Sequence, residues 1–289
     1  MQVTTADHVE RMRQALESLC DDVGAYLHES SLFPLSGSIA AKEMADHKLA
    51  EQIATAYDQG NLLLESAADH AFALTRLLVE PVATVAPWTC ARGGLEASAV
   101  GCWLLSRCID SRERVSRSFA HRYDGLREQT KLAGATGDEE VRRSLTERIE
   151  EVDQQAIALE YAPVLNRDGK RIGIGQVMPA KTRCIEDTFR LETLYRIFSG
   201  MAHSQSSSLV QLGFLAEDPD APMLMKKAMT ANVAVVLLVT AADTLARPTW
   251  AKAELYGLNL ARLAAILQRR YDEMGIDSTR YFWRDEGPS

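Results

Sequence analysis

TADHVERMRQALESLCDDVGAYLHES, residues 5–30, sets the fold class. Val9, Met12, Leu16, Leu19, Val23 and Leu27 recur at three- and four-residue spacing, which lines them up along one face of a helix. Downstream, SLFPLSGS breaks that helix with Pro34 and Gly37, and Ser38 can cap the next, running to about Tyr57. Gly60 reads as the divide before NLLLESAADHAFALTRLLVE, a third helix that Pro81 closes. A fourth, over about 88–108, carries Gly93, Gly94, Ala97, Ala99 and Gly101. Small residues permit close backbone approach at a cost in helix propensity, which places this helix centrally.

Asp110 with Glu113, and Thr136 with Glu139, form capping-box-like pairs that open helices reaching about Leu132 and Glu160. Residues 161–180 are rich in Gly, Pro and β-branched side chains and read as a long loop with room for a short hairpin. Loops of that length are often functional. Thr182 can cap RCIEDTFRLETLYRIFSGMAH, a helix ending near Gly200 or shortly after. Two last helices are expected over about 222–246 and 248–274, with Pro248 in the first turn of the second and the final dozen residues as a surface tail. The expectation is an all-α bundle of about eight helices in one domain spanning 1–289. Its N-terminal helices cover about 5–80, its central helices 88–160, a Gly/Pro-containing loop 161–181, and its C-terminal helices 182–274.

Of the 289 residues, 46% are hydrophobic and 25% charged, enough apolar matter for a real core without disulfide or metal staples. A formal charge of -8 repels polyanions over most of the surface, so nucleic acid would have to meet a local basic patch. The five cysteines, Cys20, Cys90, Cys102, Cys108 and Cys184, show no CxxC spacing and read as reduced thiols. The polar opening MQVTTADHVERMRQ lacks a signal peptide's charged and apolar regions, and the apolar run from Val233 to Thr240 is short for a span. Both point to a cytoplasmic protein without membrane insertion, with Val233–Thr240 in a buried core helix.

Function rests on one polar stripe. Glu192, Arg196, Ser199 and His203 recur at four, three and four residues and so share a helix face, while Leu191, Leu194, Tyr195, Phe198, Met201 and Ala202 flank it. An i,i+4 ion pair and a solvated helix end would explain the stripe without function. Alternatively, Arg196 and His203 form an anion-binding and acid–base pair suited to phosphodiester chemistry. The histidine would move protons between a ribose 2′-hydroxyl and the leaving oxygen, and the guanidinium would neutralise the phosphorane. No metal or other cofactor is needed.

Arg196 and His203, six residues apart near a helix end in an all-α chain, resemble the Arg-to-His signature of the HEPN superfamily, many of whose members are metal-independent RNases. The resemblance covers this helix; Ile197 stands where those RNases commonly carry a polar residue. The text around YRIFSGMAHSQ and RGGLEASAVGCWLL is also similar to a broad group of bacterial helical proteins with no assigned activity. The HEPN resemblance implies a homodimer with a composite site, RNA as a partner, His203 as general acid–base and Arg196 as phosphate stabiliser. Glu192, Tyr195 and Ser199 would support them, and Arg171, Lys181 and Arg183, together with Arg167 and Lys170, add a cationic patch close in sequence.

Other readings compete. Asp46-His47 and Asp69-His70, with Glu43 and Glu65 upstream, could face one another as a metal pair, a small-molecule alternative, although neither segment has the Glu-x-x-His of dimetal bundles. Arg107, Arg112, Arg114, Arg117, His121, Arg122, Arg127 and Lys131 could track phosphates, but Asp110, Glu113, Asp124 and Glu128 among them favour a salt-bridged helix. IleGlyIleGlyGln (172–176) lacks the setting of a dinucleotide loop and reads as a mobile lid. The four tryptophans read as packing residues. A third alternative treats the chain as a helical interaction module of a defence or regulatory system, with the stripe as an interface.

Overall fold

The computed structural model describes residues 6–30, 33–218, 221–227 and 229–277. Its architecture is an all-α bundle with two small antiparallel hairpins. Helix α1 (Ala6–Glu29) buries Met12, Leu16, Leu19 and Val23 as the spacing requires. Ser38 caps α2 by accepting from the Ala41 amide. That helix stops at Met44, however, and a turn through residues 45–49 leads into α3 (Ala50–Leu77).

Helix α3 runs straight through Gly60, against expectation. The glycine is there for contact: a β-carbon would stand 2.6 Å from the Leu105 side chain that follows α4 (Ala86–Leu104). Tertiary packing thus overrides glycine's poor helix propensity. Helix α4 is central as expected, packing along α3, α10, α7 and α8.

Helix α5 (Ser111–Thr136) is capped by Asp110 and ends on Gly137 at φ +71, so α6 (Glu139–Ala158) begins later than expected, with Asp138 rather than Thr136 as its cap. Strands β1 (Pro163–Leu165) and β2 (Arg171–Ile174) form the short hairpin in the long loop. It is pinned rather than lid-like. Gln176 donates to Glu113 and Ser116 at 3.2 and 3.0 Å, and the Tyr123 hydroxyl donates to the Arg171 carbonyl.

The Thr182 segment is two helices, α7 (Lys181–Phe189) and α8 (Glu192–Ala202), because Arg190 adopts the left-handed conformation at φ 58. Thr182 sits inside α7, whose N-cap is Ala180. A one-turn helix, α9 (Ser206–Ser208), and a π-turn over Leu209–Gly213 follow. Residues 221–227, expected to begin a helix, instead form β4 (Ala221–Lys227) against β3 (Phe214–Asp218), with Phe214 opposite Lys227.

Helix α10 (Ala231–Tyr256) continues through Pro248, where a break was expected; α11 is Leu260–Glu273. An interior proline forfeits one helix hydrogen bond, about 3 kcal/mol. Here the proline is buried and packs by Gly101 of α4, and α10 is held along α1, α3 and α4. Helix α10 has the length and composition to cross a membrane, yet its Ala234, Leu237, Leu238, Ala241 and Leu245 are core. Trp88 and Trp250 are buried and Trp103 is packed on the core; Trp283 and the expected surface tail lie outside the described residues.

One charged group lies at the centre. Arg114, fully buried, donates to Glu43 at 2.7 and 3.3 Å and to the carbonyls of Leu104 and Ser106, and stacks on Tyr57. The Tyr57 hydroxyl donates to the same Glu43 carboxylate. Arg114 thereby ties α2, α3, the end of α4 and α5 together.

Candidate functional site

Helix α8 presents the expected stripe on its exposed side. Arg196 is 70% exposed and pairs with Glu192 at 2.5 Å, the ordinary i,i+4 arrangement. Its opposite face buries Tyr195, Phe198 and Met201. His203 is the C-cap and is exposed. Its position is held by the chain reversal that follows: Ser204 takes the left-handed conformation at φ 53, its amide donates to the Met201 carbonyl, and the Gln205 amide donates to the Gly200 carbonyl. Those two bonds are the Schellman closure of a helix end, built here on a serine where glycine is usual.

The partner of His203 is Arg92 of α4. A guanidinium nitrogen, Nη1, stands 2.7 Å from His203 Nε2. A guanidinium can only donate, so Nε2 is the accepting nitrogen and Nδ1 carries the hydrogen. Arg92 is itself oriented by Glu96, one turn on, at 2.8 Å, and its guanidinium lies 5.8 Å from the Tyr195 ring. Glu96 is the hub. One carboxylate oxygen receives Arg92 and the Tyr195 hydroxyl (2.9 Å), and the other receives Lys181 at 2.6 Å. Burial alone would raise the Glu96 carboxyl, but the bonds from Lys181 and Tyr195 and the charges of Lys181 and Arg92 hold it below the usual carboxylate value.

Of the residues expected at the site, His203, Tyr195 and Lys181 therefore join one network, and Arg196, Glu192 and Ser199 flank it on α8. Arg171 does not belong to it: it is bound by Asp153 and stacked 4.6 Å over Tyr123, tying β2 to α5 and α6. Arg183 makes an exposed pair with Asp187 within α7. Arg92 and Glu96 were missed by the motif reading. Their signal was present, as two charges one turn apart on a helix otherwise made of small and apolar residues.

The metal alternative is not assembled. Glu43 is consumed in the buried pair with Arg114, His47 lies exposed in the turn after α2, Glu65 and Asp69 are exposed on α3, and His70 rests on Gly93. Among the described residues no three His, Cys, Asp or Glu side chains are grouped so as to hold a metal ion. The basic run on α5 is likewise spent internally. Arg117 binds Glu113 and the Trp103 carbonyl, Arg122 binds Gln155, Arg127 binds Asp124, and Lys131 binds Glu128.

A groove of about 670 Å³ opens between α3, α4, α5 and residues 178–181. His70, His121, Glu96, Asp124 and Lys181 line it together with Ala97 and Val100. Gly93 lets the His70 ring pack directly on α4, since a β-carbon there would meet that ring at 2.4 Å. Burial pushes His121 below its ordinary value of 6.5, with Asp124 opposing and Lys181 adding to the effect. A histidine depressed in the fold stays neutral where the unfolded chain is protonated. Stability is therefore full above about pH 6.5 and falls as pH drops through that value. Thermal unfolding should show wild type losing midpoint temperature between about pH 7 and 5, with His121→Gln flattening the decline. An equal slope in the variant would assign the loss to other groups.

No family model matches the chain, and no curated protein or solved structure is significantly similar to it.

Proposed function

We propose that this protein is a HEPN-like, metal-independent RNase, or an RNA-binding derivative of one, working at the exposed face of α8 around His203. The single observation that carries the reading is the Arg92–His203 contact at 2.7 Å, with Arg196 on the same helix as His203. A phosphate arriving at this face would draw the Arg92 guanidinium to itself and release the imidazole lone pair. His203 then takes the proton of the ribose 2′-hydroxyl, the 2′-oxygen bonds to phosphorus, and the P–O5′ bond breaks. The departing 5′-oxygen takes up a proton from water, leaving a 2′,3′-cyclic phosphate and a 5′-hydroxyl, and His203 returns its proton to solvent. Arg92 and Arg196 supply positive charge where the phosphorane's negative charge develops.

The test is incubation with mixed cellular RNA in EDTA, reading fragment ends. Wild type is expected to leave cyclic-phosphate ends, and Arg92→Ala and His203→Ala to leave the RNA intact. Cleavage that needs added metal, or that survives His203→Ala, overturns the proposal.

One observation favours a second reading, a helical pocket for a small molecule. His70 and His121 face the groove, and no described residue hydrogen-bonds either ring. Thermal-shift titration with mononucleotides and small dicarboxylates tests it: a compound that raises the wild-type midpoint but not that of a His70→Phe, His121→Phe variant would support this pocket over the α8 face.

A further inference from the structure

Helices α5 and α6 form a hairpin. Among the described residues the only extensive packing of α6 is on α5, through Leu145, Val152 and Ala156, and most of its other side chains are exposed. Two helices alone cannot enclose an apolar seam. One face of the hairpin accordingly retains a groove of about 540 Å³, lined on α5 by Gln129, Leu132 and Thr136 and on α6 by Glu140, Val141, Ser144 and Arg148. Leu132 is 68% and Val141 44% exposed.

We propose that this face binds the same face of a second copy of the chain, with the two α6 helices antiparallel about a two-fold axis at Ser144. The argument is the placement of charge. Glu140 and Arg148 stand at opposite ends of the groove, two turns apart, and Ser144 is their midpoint. An antiparallel two-fold at Ser144 sets Glu140 of each copy opposite Arg148 of the other, twice, which is the isologous arrangement a closed dimer requires. Within one chain these charges are uncommitted: among the described residues Glu140 has no ion-pair partner, and Arg148 makes only a 3.5 Å contact with Gln129. Glu139 with Arg142 and Glu128 with Lys131, by contrast, are paired within the chain. A small residue on the axis lets the helices close, and Leu132 and Val141 of both copies then complete a four-helix core. A parallel pairing would set Glu140 against Glu140 and Arg148 against Arg148, and is disfavoured by repulsion. The surface excludes α8, so the proposal stands independently of the RNase reading.

Light scattering and sedimentation of the full chain test it. Wild type is expected at twice the 31.9 kDa of one chain. Leu132→Glu should reduce it to one chain, with its helical circular dichroism unchanged because that side chain is exposed in the monomer. Glu140→Arg and Arg148→Glu should each weaken dimerisation about tenfold, and the double variant should restore it, because both pairs are then reversed together. A wild type that stays monomeric at all concentrations overturns the proposal, as does a dimer indifferent to Leu132→Glu. Failure of the double variant to recover overturns the antiparallel register. RNA cleavage by a monomeric variant would leave the RNase reading standing while this one is judged on mass alone.

Discussion

Replacing Arg114 by methionine is expected to destabilise the protein by about 3–5 kcal/mol, the cost of leaving a buried carboxylate without its cation. Glu43 would keep only the Tyr57 hydroxyl, and the Leu104 and Ser106 carbonyls at the end of α4 would lose their donors. A typical domain has only about 5–15 kcal/mol to lose, so the thermal midpoint should fall by roughly 10 °C. The pair is a constraint on geometry more than a source of stability, because desolvating both ions offsets much of their attraction. Substituting Glu43 by leucine in the same chain should therefore recover a large part of the loss. Thermal and denaturant unfolding of the single and double variants measure this. A single variant within about 1 kcal/mol of wild type would show that water reaches the pair and that α2 and α5 are not joined through it.

The second large effect is the one that the proposed RNase activity predicts. Removing a positioned general acid–base group typically costs about 100- to 10,000-fold, so His203→Ala should lower RNA cleavage by that factor. Because His203 is exposed and caps a helix whose end is closed by backbone bonds, its loss should leave unfolding within about 1 kcal/mol of wild type. Arg92→Ala is expected to be at least as damaging as Arg196→Ala, since Arg92 touches the imidazole while Arg196 is held by Glu192. An Arg196→Ala variant that is dead beside an active Arg92→Ala would move the phosphate onto the α8 stripe itself. Comparing initial rates on one RNA with all three variants separates these outcomes.

Helical periodicity and capping chemistry made the all-α class, the α1 face and the Ser38 and Asp110 caps readable in advance, because each depends on residues within a turn or two of one another. The same locality explains the stripe on α8: residues four, three and four apart share a helix face whatever surrounds it. Continuity was another matter. Gly60 and Pro248 are breakers by propensity, yet α3 and α10 pass through both, because each residue fills a close contact with a helix distant in sequence. Arg190, with no breaker's chemistry, divides α7 from α8.

The partner of His203 was beyond sequence reasoning for the same reason. Arg92 lies 111 residues away, and only the packing of α8 on α4 brings its guanidinium to the imidazole. Likewise, Arg114 read as one cation in a solvated run and became the buried tie at the centre, while Glu43 exchanged a metal-ligand reading for that ion pair. Local spacing says which residues share a face. Which face is buried, and which charge meets which, is set by the free energy of enclosing apolar surface over the whole chain, a sum that no window of sequence contains.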